Sequence, residues 1–406
     1  MRRITLYSLC LLLTGCVEEP EAITFNTWRG VLDIGGDQSL NFTFDLNLES
    51  DSPMVIYNGE ERIILAQTDI KRKGDSLRID MPVFESYFLI RDLGNRWEGA
   101  YKDPGRRGAY SIPFSAVPAT RRYDLPDANK RNLPGVWTVR FSPDTEDEYP
   151  AMALLEEDGE GRVTGTFRTE TGDYRYLDGM RSGDELVLST FDGAHAFLFT
   201  ATITGDSLSG TFYSGNHYQE PWTAVADPEA SLGNPDELTY LKEGYEGITF
   251  SFPGVQEDSI RYPDAAYEGK VVVIQILGSW CPNCMDETRL FAEWYDRYHD
   301  QGLEIIGLTF ERRPDMEDAR VAVQKMKNRL EADYDMAIAS LTTSKTVAAE
   351  KLPMLSAVLS YPTSIWIDRS GEIRKIHTGF NGPGTGAAYE EFVEEYQSLI
   401  EEMLEE

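Results

Sequence analysis

Val271-Val-Val-Ile-Gln-Ile-Leu277 runs into Gly278-Ser279-Trp280 and then Cys281-Pro282-Asn283-Cys284. The seven-residue run is β-branched and apolar, the pattern of a central strand buried on both faces. After the cysteines, Met285, Leu290, Phe291, Trp294 and Tyr298 recur at helical spacing. The sequence thus predicts a strand handing over to a helix, with a Cys-x-x-Cys pair at the junction. The first cysteine falls near the free N–H groups of a helix N-terminus, which favour a thiolate. Pro282 suits the first helical turn, where its missing N–H costs nothing. Two cysteines three residues apart can close a small disulfide ring and reopen it.

Two other readings of the pair are open to the same residues. Half of a zinc site needs two further Cys or His ligands at suitable spacing. The remaining cysteines are Cys10 and Cys16, near the N-terminus, and the four histidines (His195, His217, His299, His377) form no close pair. No metal is expected, and each histidine reads as structural or surface. A permanent structural disulfide is the second alternative, but so short a loop gains little entropy from closure. Redox exchange is the reading carried forward.

More of the chain supports it. Gly269-Lys270-Val-Val-Val precedes the motif, and Glu287 follows it. Tyr361-Pro362-Thr363 comes later, with strand-like runs at Ser364–Asp368 and Gly371–His377. On these residues the stretch from about 246 to 404 resembles a thioredoxin-fold domain of the TlpA/ResA-like thiol–disulfide oxidoreductases. The resemblance covers about two-fifths of the chain. It implies that Cys281 is the exposed nucleophile and Cys284 the buried resolving thiol. Pro362 is then a cis proline facing the pair, and the Tyr361 backbone pairs with a substrate strand. Trp280, Pro282 and Thr363 are expected beside the substrate. Glu287 is expected next to Cys284, one helical turn on, taking and returning the resolving thiol's proton. Asp286 reads as a solvated helix-face acid. Gln275 stands where thioredoxins proper keep a buried Asp. No cofactor beyond the cysteine pair is implied. Helices are expected over 314–335 and 343–352, as in the central insertion of this branch, and Gly379–Gly386 reads as a turn.

The N-terminus reads as an address. Met1-Arg2-Arg3 is basic, Ile4–Leu13 mostly apolar, and Leu13-Thr14-Gly15-Cys16 resembles the lipobox of bacterial lipoproteins. The apolar run is shorter than the roughly 20 residues that span a bilayer. Residues 1–15 are expected to be removed as a signal peptide, leaving Cys16 acylated and 16–23 as a tether. Acyl chains on Cys16 would hold the chain to the lipid bilayer. Val17 favours the outer membrane, facing the periplasm, in a cell with two membranes. The cleavage takes away Arg2 and Arg3 and no acid, moving the net charge from −31 to −33.

Residues 24–118 and 134–226 look like copies. Trp28 matches Trp137, and Gly74-Asp75-Ser76-Leu77 matches Gly183-Asp184-Glu185-Leu186. Gly99-Ala100-Tyr101 matches Gly210-Thr211-Phe212, and Pro113–Val117 matches Pro221–Val225. The four matches fall in order at nearly constant offset, as duplication would leave them. Leu40, Phe42, Phe44, Leu46 and Leu48 alternate with polar residues, and Phe197, Phe199, Ala201 and Ile203 recur at the same period of two. That period of two predicts strands with one buried face. Each copy reads as a small sandwich or barrel, a spacer or docking module. Residues 227–244 read as a linker. The architecture expected is multidomain: two β-rich repeats, then an α/β thioredoxin-like domain at 245–406.

Acids outnumber bases, 69 to 38, so the surface repels phosphate backbones and nucleic acid is not an expected partner. The function expected is disulfide exchange outside the cytoplasm, as a reductase of protein disulfides fed by a membrane electron donor that this chain does not contain. A peroxiredoxin-like peroxidase would carry Pro and Thr where Ile274 and Gly278 stand. A non-enzymatic envelope binding lipoprotein would leave the Cys-x-x-Cys and Pro362 without purpose.

Overall fold

The computed structural model describes residues 26–106, 108–124, 133–256 and 258–406. The signal segment 1–15, the tether 16–23 and Cys16 lie outside the described residues.

The first β region is a nine-stranded antiparallel meander. Strand Asn26–Gly35 pairs with both its successor Gln38–Leu46 and the last strand, Ser111–Pro118. The sheet curls on itself but leaves an opening between Glu61–Leu65 and Ile70–Lys73. Leu40, Phe42 and Phe44 are fully buried, as their alternation predicts; the strand ends at Leu46, so Leu48 lies beyond it.

The second region repeats the scheme and closes it. Tyr149–Glu157 pairs with Arg162–Thr169, completing an eight-stranded ring that runs round to Val136–Phe141 and Tyr218–Ala226. A two-residue strand, Gly172–Asp173, hangs off the rim. The barrel is filled by Trp137, Phe141, Phe167, Phe199, Phe212 and Trp222. In both regions a two-residue turn begins with a left-handed glycine, Gly74 at φ 64° and Gly183 at φ 59°. Such turns match the twist of the strands they join.

The barrel strand Ala196–Thr204 departs from simple alternation. Phe197, Phe199 and Ala201 are buried, yet so are Ala196 and Leu198. These two, with Phe191, join the core of the first sheet, and Phe191 stacks on Phe42 with ring centroids 4.8 Å apart. A strand covered on both faces loses the polar half of its pattern.

The C-terminal part is a five-stranded sheet in the order Asp335–Ser340, Leu303–Phe310, Val271–Leu277, Thr363–Ile367, Ile373–Thr378. The first three strands are parallel; Thr363–Ile367 runs antiparallel to the central strand, and Ile373–Thr378 runs antiparallel to Thr363–Ile367. All seven residues of Val271–Leu277 are buried. Its helices are α1 (Pro282–Tyr298), α2 (Met316–Leu330), α3 (Lys345–Lys351) and α4 (Ala387–Glu405). Trp294 of α1, Trp366 of the sheet and Tyr396 of α4 pack together. The helix expected over 314–335 stops at Leu330, because Glu331 takes up left-handed backbone (φ 54°) and the chain turns into an edge strand. Much of the expected linker packs on this module. Asp236 accepts from Tyr396 Oη at 2.7 Å, and Leu241 bridges to Leu355. Among the described residues, no helix is long and apolar enough to cross a membrane.

Candidate active site

The buried central strand ends at Leu277, and the chain turns sharply through Gly278. A Cβ there would strike the Trp280 indole and lie 3.0 Å from the Phe310 carbonyl oxygen, so only glycine fits. The Trp280 indole N–H donates to that carbonyl at 2.8 Å. Buried Glu311 accepts from both the N–H and the hydroxyl of Ser279, at 3.0 and 2.6 Å. This loop is therefore clamped from both sides before the cysteines begin.

Cys281 is the N-cap of α1, and Pro282 opens the first turn. Cys281 and Cys284 are joined in a disulfide, with Cα atoms 5.2 Å apart. The Cys281 Sγ accepts the Cys284 N–H at 3.2 Å. On reduction the same N–H, with the helix dipole behind it, would stabilise a Cys281 thiolate. The Tyr361–Pro362 peptide bond is cis, and the Tyr361 carbonyl oxygen lies 3.4 Å from the Cys281 Sγ. Trp280 stands edge-on to the Tyr361 ring, with centroids 5.7 Å apart. Cys281, Cys284, Trp280, Tyr361 and Pro362 thus come together.

Thr363 does not face a substrate. It is fully buried and spends its hydroxyl on the Ser360 carbonyl at 3.0 Å, so it holds the cis-proline loop from within. Cys281 also departs from expectation: only 6% of it is exposed, where a surface nucleophile was predicted. Glu287 is fully buried one turn beyond Cys284, and burial raises its pKa from 4.5 to about 8. Its Oε2 accepts from Gln275 Nε2 at 2.8 Å, and its Oε1 has no hydrogen-bond partner among the described residues. Gln275 also accepts from Tyr334 at 2.9 Å. A carboxyl near pKa 8 is matched to a thiol of ordinary pKa about 8.5, which suits it to exchange a proton with one.

The barrel covers this site, which sequence reasoning missed. Ser360 Oγ donates to the Thr171 carbonyl at 2.8 Å, beside the cis proline. Asn283, inside the Cys-x-x-Cys, donates to the Asp173 carbonyl at 3.1 Å. The Gly382 N–H donates to the Asp173 carboxylate at 2.5 Å, which ties the Gly379–Gly386 turn to the same spot. Burial raises Asp173 to about 6. Asp286 is buried rather than solvated, with Arg175 Nε 3.1 Å from its Oδ2. Arg175 also pairs with Asp192 of the barrel at 3.3 Å and with Glu61 of the first sheet. Burial disfavours its charge, but Asp286, Glu61 and Asp192 together hold its pKa above the usual value. The one sequence signal was an acid two residues before a base in Asp173-Tyr-Arg175, which resembles any solvated turn.

Residues 242–392 match the family model Redoxin. The chain is 26% identical over 166 residues to the thiol-disulfide oxidoreductase ResA of Halalkalibacterium halodurans, covering 40% of this chain and 80% of that one. It is 28% identical over 141 residues to the thiol:disulfide interchange protein DsbE of Pseudomonas aeruginosa, covering 35% and 69% respectively. A crystal structure of a putative thiol:disulfide interchange protein DsbE from Chlorobium tepidum aligns at 19% identity and a TM-score of 0.30, over 40% of this chain and 99% of that one. The C-terminal part of the chain is an oxidoreductase module of thioredoxin fold, preceded by two barrel-like sheets.

Proposed function

We propose that this chain is a thiol–disulfide oxidoreductase that reduces protein disulfides outside the cytoplasm, held to a membrane through acylated Cys16. The observation that carries the reading is the Cys281–Cys284 disulfide capping α1 with the Tyr361 carbonyl 3.4 Å from the first sulfur.

In the reduced chain, the Cys281 thiolate attacks one sulfur of a substrate disulfide. A new S–S bond joins chain and substrate, and the other substrate sulfur leaves as a thiolate and takes a proton. Cys284 then loses its proton, with Glu287 as the nearby acceptor, and attacks the Cys281 Sγ. The second substrate sulfur leaves, and the chain is left as the Cys281–Cys284 disulfide. Two electrons have passed to the substrate. An external dithiol, supplied through a membrane electron donor, returns the chain to its reduced form. The Tyr361 carbonyl and the Trp280 ring flank the attacked sulfur, and Pro282 starts the helix whose free N–H groups favour a thiolate at its N-terminus.

The reductase direction follows the family resemblance, and the lipobox at Leu13–Cys16 supports the location. Duplication is the reading we adopt for the β regions. It is supported by Trp28 facing Pro118 and Trp137 facing Ala226 in equivalent first-to-last strand pairings.

The test is insulin-disulfide reduction with dithiothreitol by residues 17–406. Turnover is expected in the parent chain and lost in Cys281→Ser and Cys284→Ser. Turnover that survives both substitutions would contradict the assignment. Peroxide consumption without disulfide reduction would replace it with a peroxidase.

A further inference from the structure

Cys281 opens into a cavity of about 510 Å³ between the barrel and the redox module. Cavities of roughly 300–1,000 Å³ take drug-sized ligands. One wall carries Trp280 and Tyr361; the other is built by the barrel, with Tyr174, Phe197 and His195. His195 lies flat against Phe197, with ring centroids 4.2 Å apart. Two carboxylates line the cavity. Asp173 spends its own on the N–H groups of Arg175 and Gly382. Glu170, on the partly exposed rim, is the other acidic lining residue, with its Oε1 beside Gly233. Among the described residues that line the cavity there is no lysine or arginine.

The surface around it is not free to receive a broad partner. Thr171 and Asp173 lie hydrogen-bonded over Ser360 and Asn283, one beside the cis proline and one inside the Cys-x-x-Cys. A Cβ on Gly379 would strike the Thr171 backbone, so barrel and redox loop are in close contact there. With Cys281 only 6% exposed, its sulfur is reached through the cavity and not across an open face.

We propose that the barrel forms half of the substrate site, and that the site selects a disulfide on an extended peptide segment with an aromatic and a basic residue beside its cysteine. The aromatic side chain enters between Phe197 and Tyr361, where ring packing adds to burial. The basic residue is held by Glu170, in a lining that offers an anion no lysine or arginine. This deepens the oxidoreductase reading and rests on it. The chemistry is the exchange written above: Cys281 attacks, Cys284 resolves, and dithiothreitol returns the two electrons.

The experiment compares linear peptides of equal length, each with its single cysteine capped as a mixed disulfide with 2-mercaptoethanol. The cysteine is flanked by Phe and Lys, by Phe and Asp, or by Ala and Lys. Reduction by the full mature chain is followed by chromatography. The Phe/Lys peptide should exceed the Phe/Asp peptide in kcat/KM by about tenfold. It should exceed the Ala/Lys peptide several-fold. In Glu170→Lys the Lys-over-Asp preference should fall by about fivefold or more. In Glu405→Lys, which makes the same change of charge at the exposed end of α4, it should hold. Equal rates for the three peptides overturn the inference while leaving the oxidoreductase intact, as does an equal fall in both variants. No turnover of any peptide or of insulin overturns the oxidoreductase reading itself.

Discussion

Arg175 of the barrel lies with its Nε 3.1 Å from the Oδ2 of Asp286, two residues past Cys284 on α1, and both side chains are buried. This contact, with Glu61 and Asp192 on the same guanidinium, joins all three parts of the chain beside the redox pair. A buried cation with three carboxylates around it is poor ground for claiming net stability, but removing it leaves uncompensated charge. Arg175→Met is expected to destabilise the chain by about 3–5 kcal/mol. It should also loosen the barrel, so that Cys281 in the reduced chain is alkylated faster. Urea unfolding and iodoacetamide kinetics check the two effects. An unchanged alkylation rate would show that the barrel does not guard the thiol.

Glu287 gives a pH dependence whose sign is fixed. Burial lifts its pKa from 4.5 to about 8. The folded chain therefore holds a proton that the unfolded chain has released between those values. Its stability falls as pH rises through that window, by at most ~1.4 kcal/mol per unit. Glutamine carries no such proton. In the oxidised chain, Glu287→Gln should gain on the parent in urea midpoint as pH climbs from about 5 to about 8. A gap between the two that stays constant with pH would mean that Glu287 is ionised throughout.

Gly278→Ala tests the loop ahead of the cysteines. The added methyl meets the Trp280 ring and the Phe310 carbonyl, and one of them must move. Overpacking of this kind costs about 1–3 kcal/mol. Trp280 should lose its bond to Phe310, with a shift in tryptophan fluorescence and slower disulfide exchange. Normal fluorescence with normal exchange would show that the loop tolerates the methyl.

The redox module was legible because its signals are local. The apolar run Val271–Leu277, the helical spacing after Cys284 and the Tyr361-Pro362 step each report on a few neighbours. Phe42 and Phe199 were legible for the same reason, since strand alternation depends on one buried face. What the sequence hid lies between parts. Ala196 and Leu198 look like lapses in a pattern until the first sheet covers them. Asp286 looks like a surface acid until Arg175, 111 residues away, reaches it. Cys281 was expected at the surface because nothing in its own stretch announces the Thr169–Asp173 rim above it. Long-range burial of polar groups leaves no periodic trace.

The central claim is that Cys281 attacks a substrate disulfide and Cys284 releases it. Intact-mass measurement of reduced Cys284→Ser incubated with a peptide disulfide tests this most directly. The account predicts a stable adduct, one substrate thiol attached at Cys281, that dithiothreitol removes. In the same experiment, Cys281→Ser should form no comparable adduct, and the parent chain should end as the Cys281–Cys284 disulfide with its substrate reduced. An adduct that forms on Cys284 in preference to Cys281, or none in any variant, would contradict it.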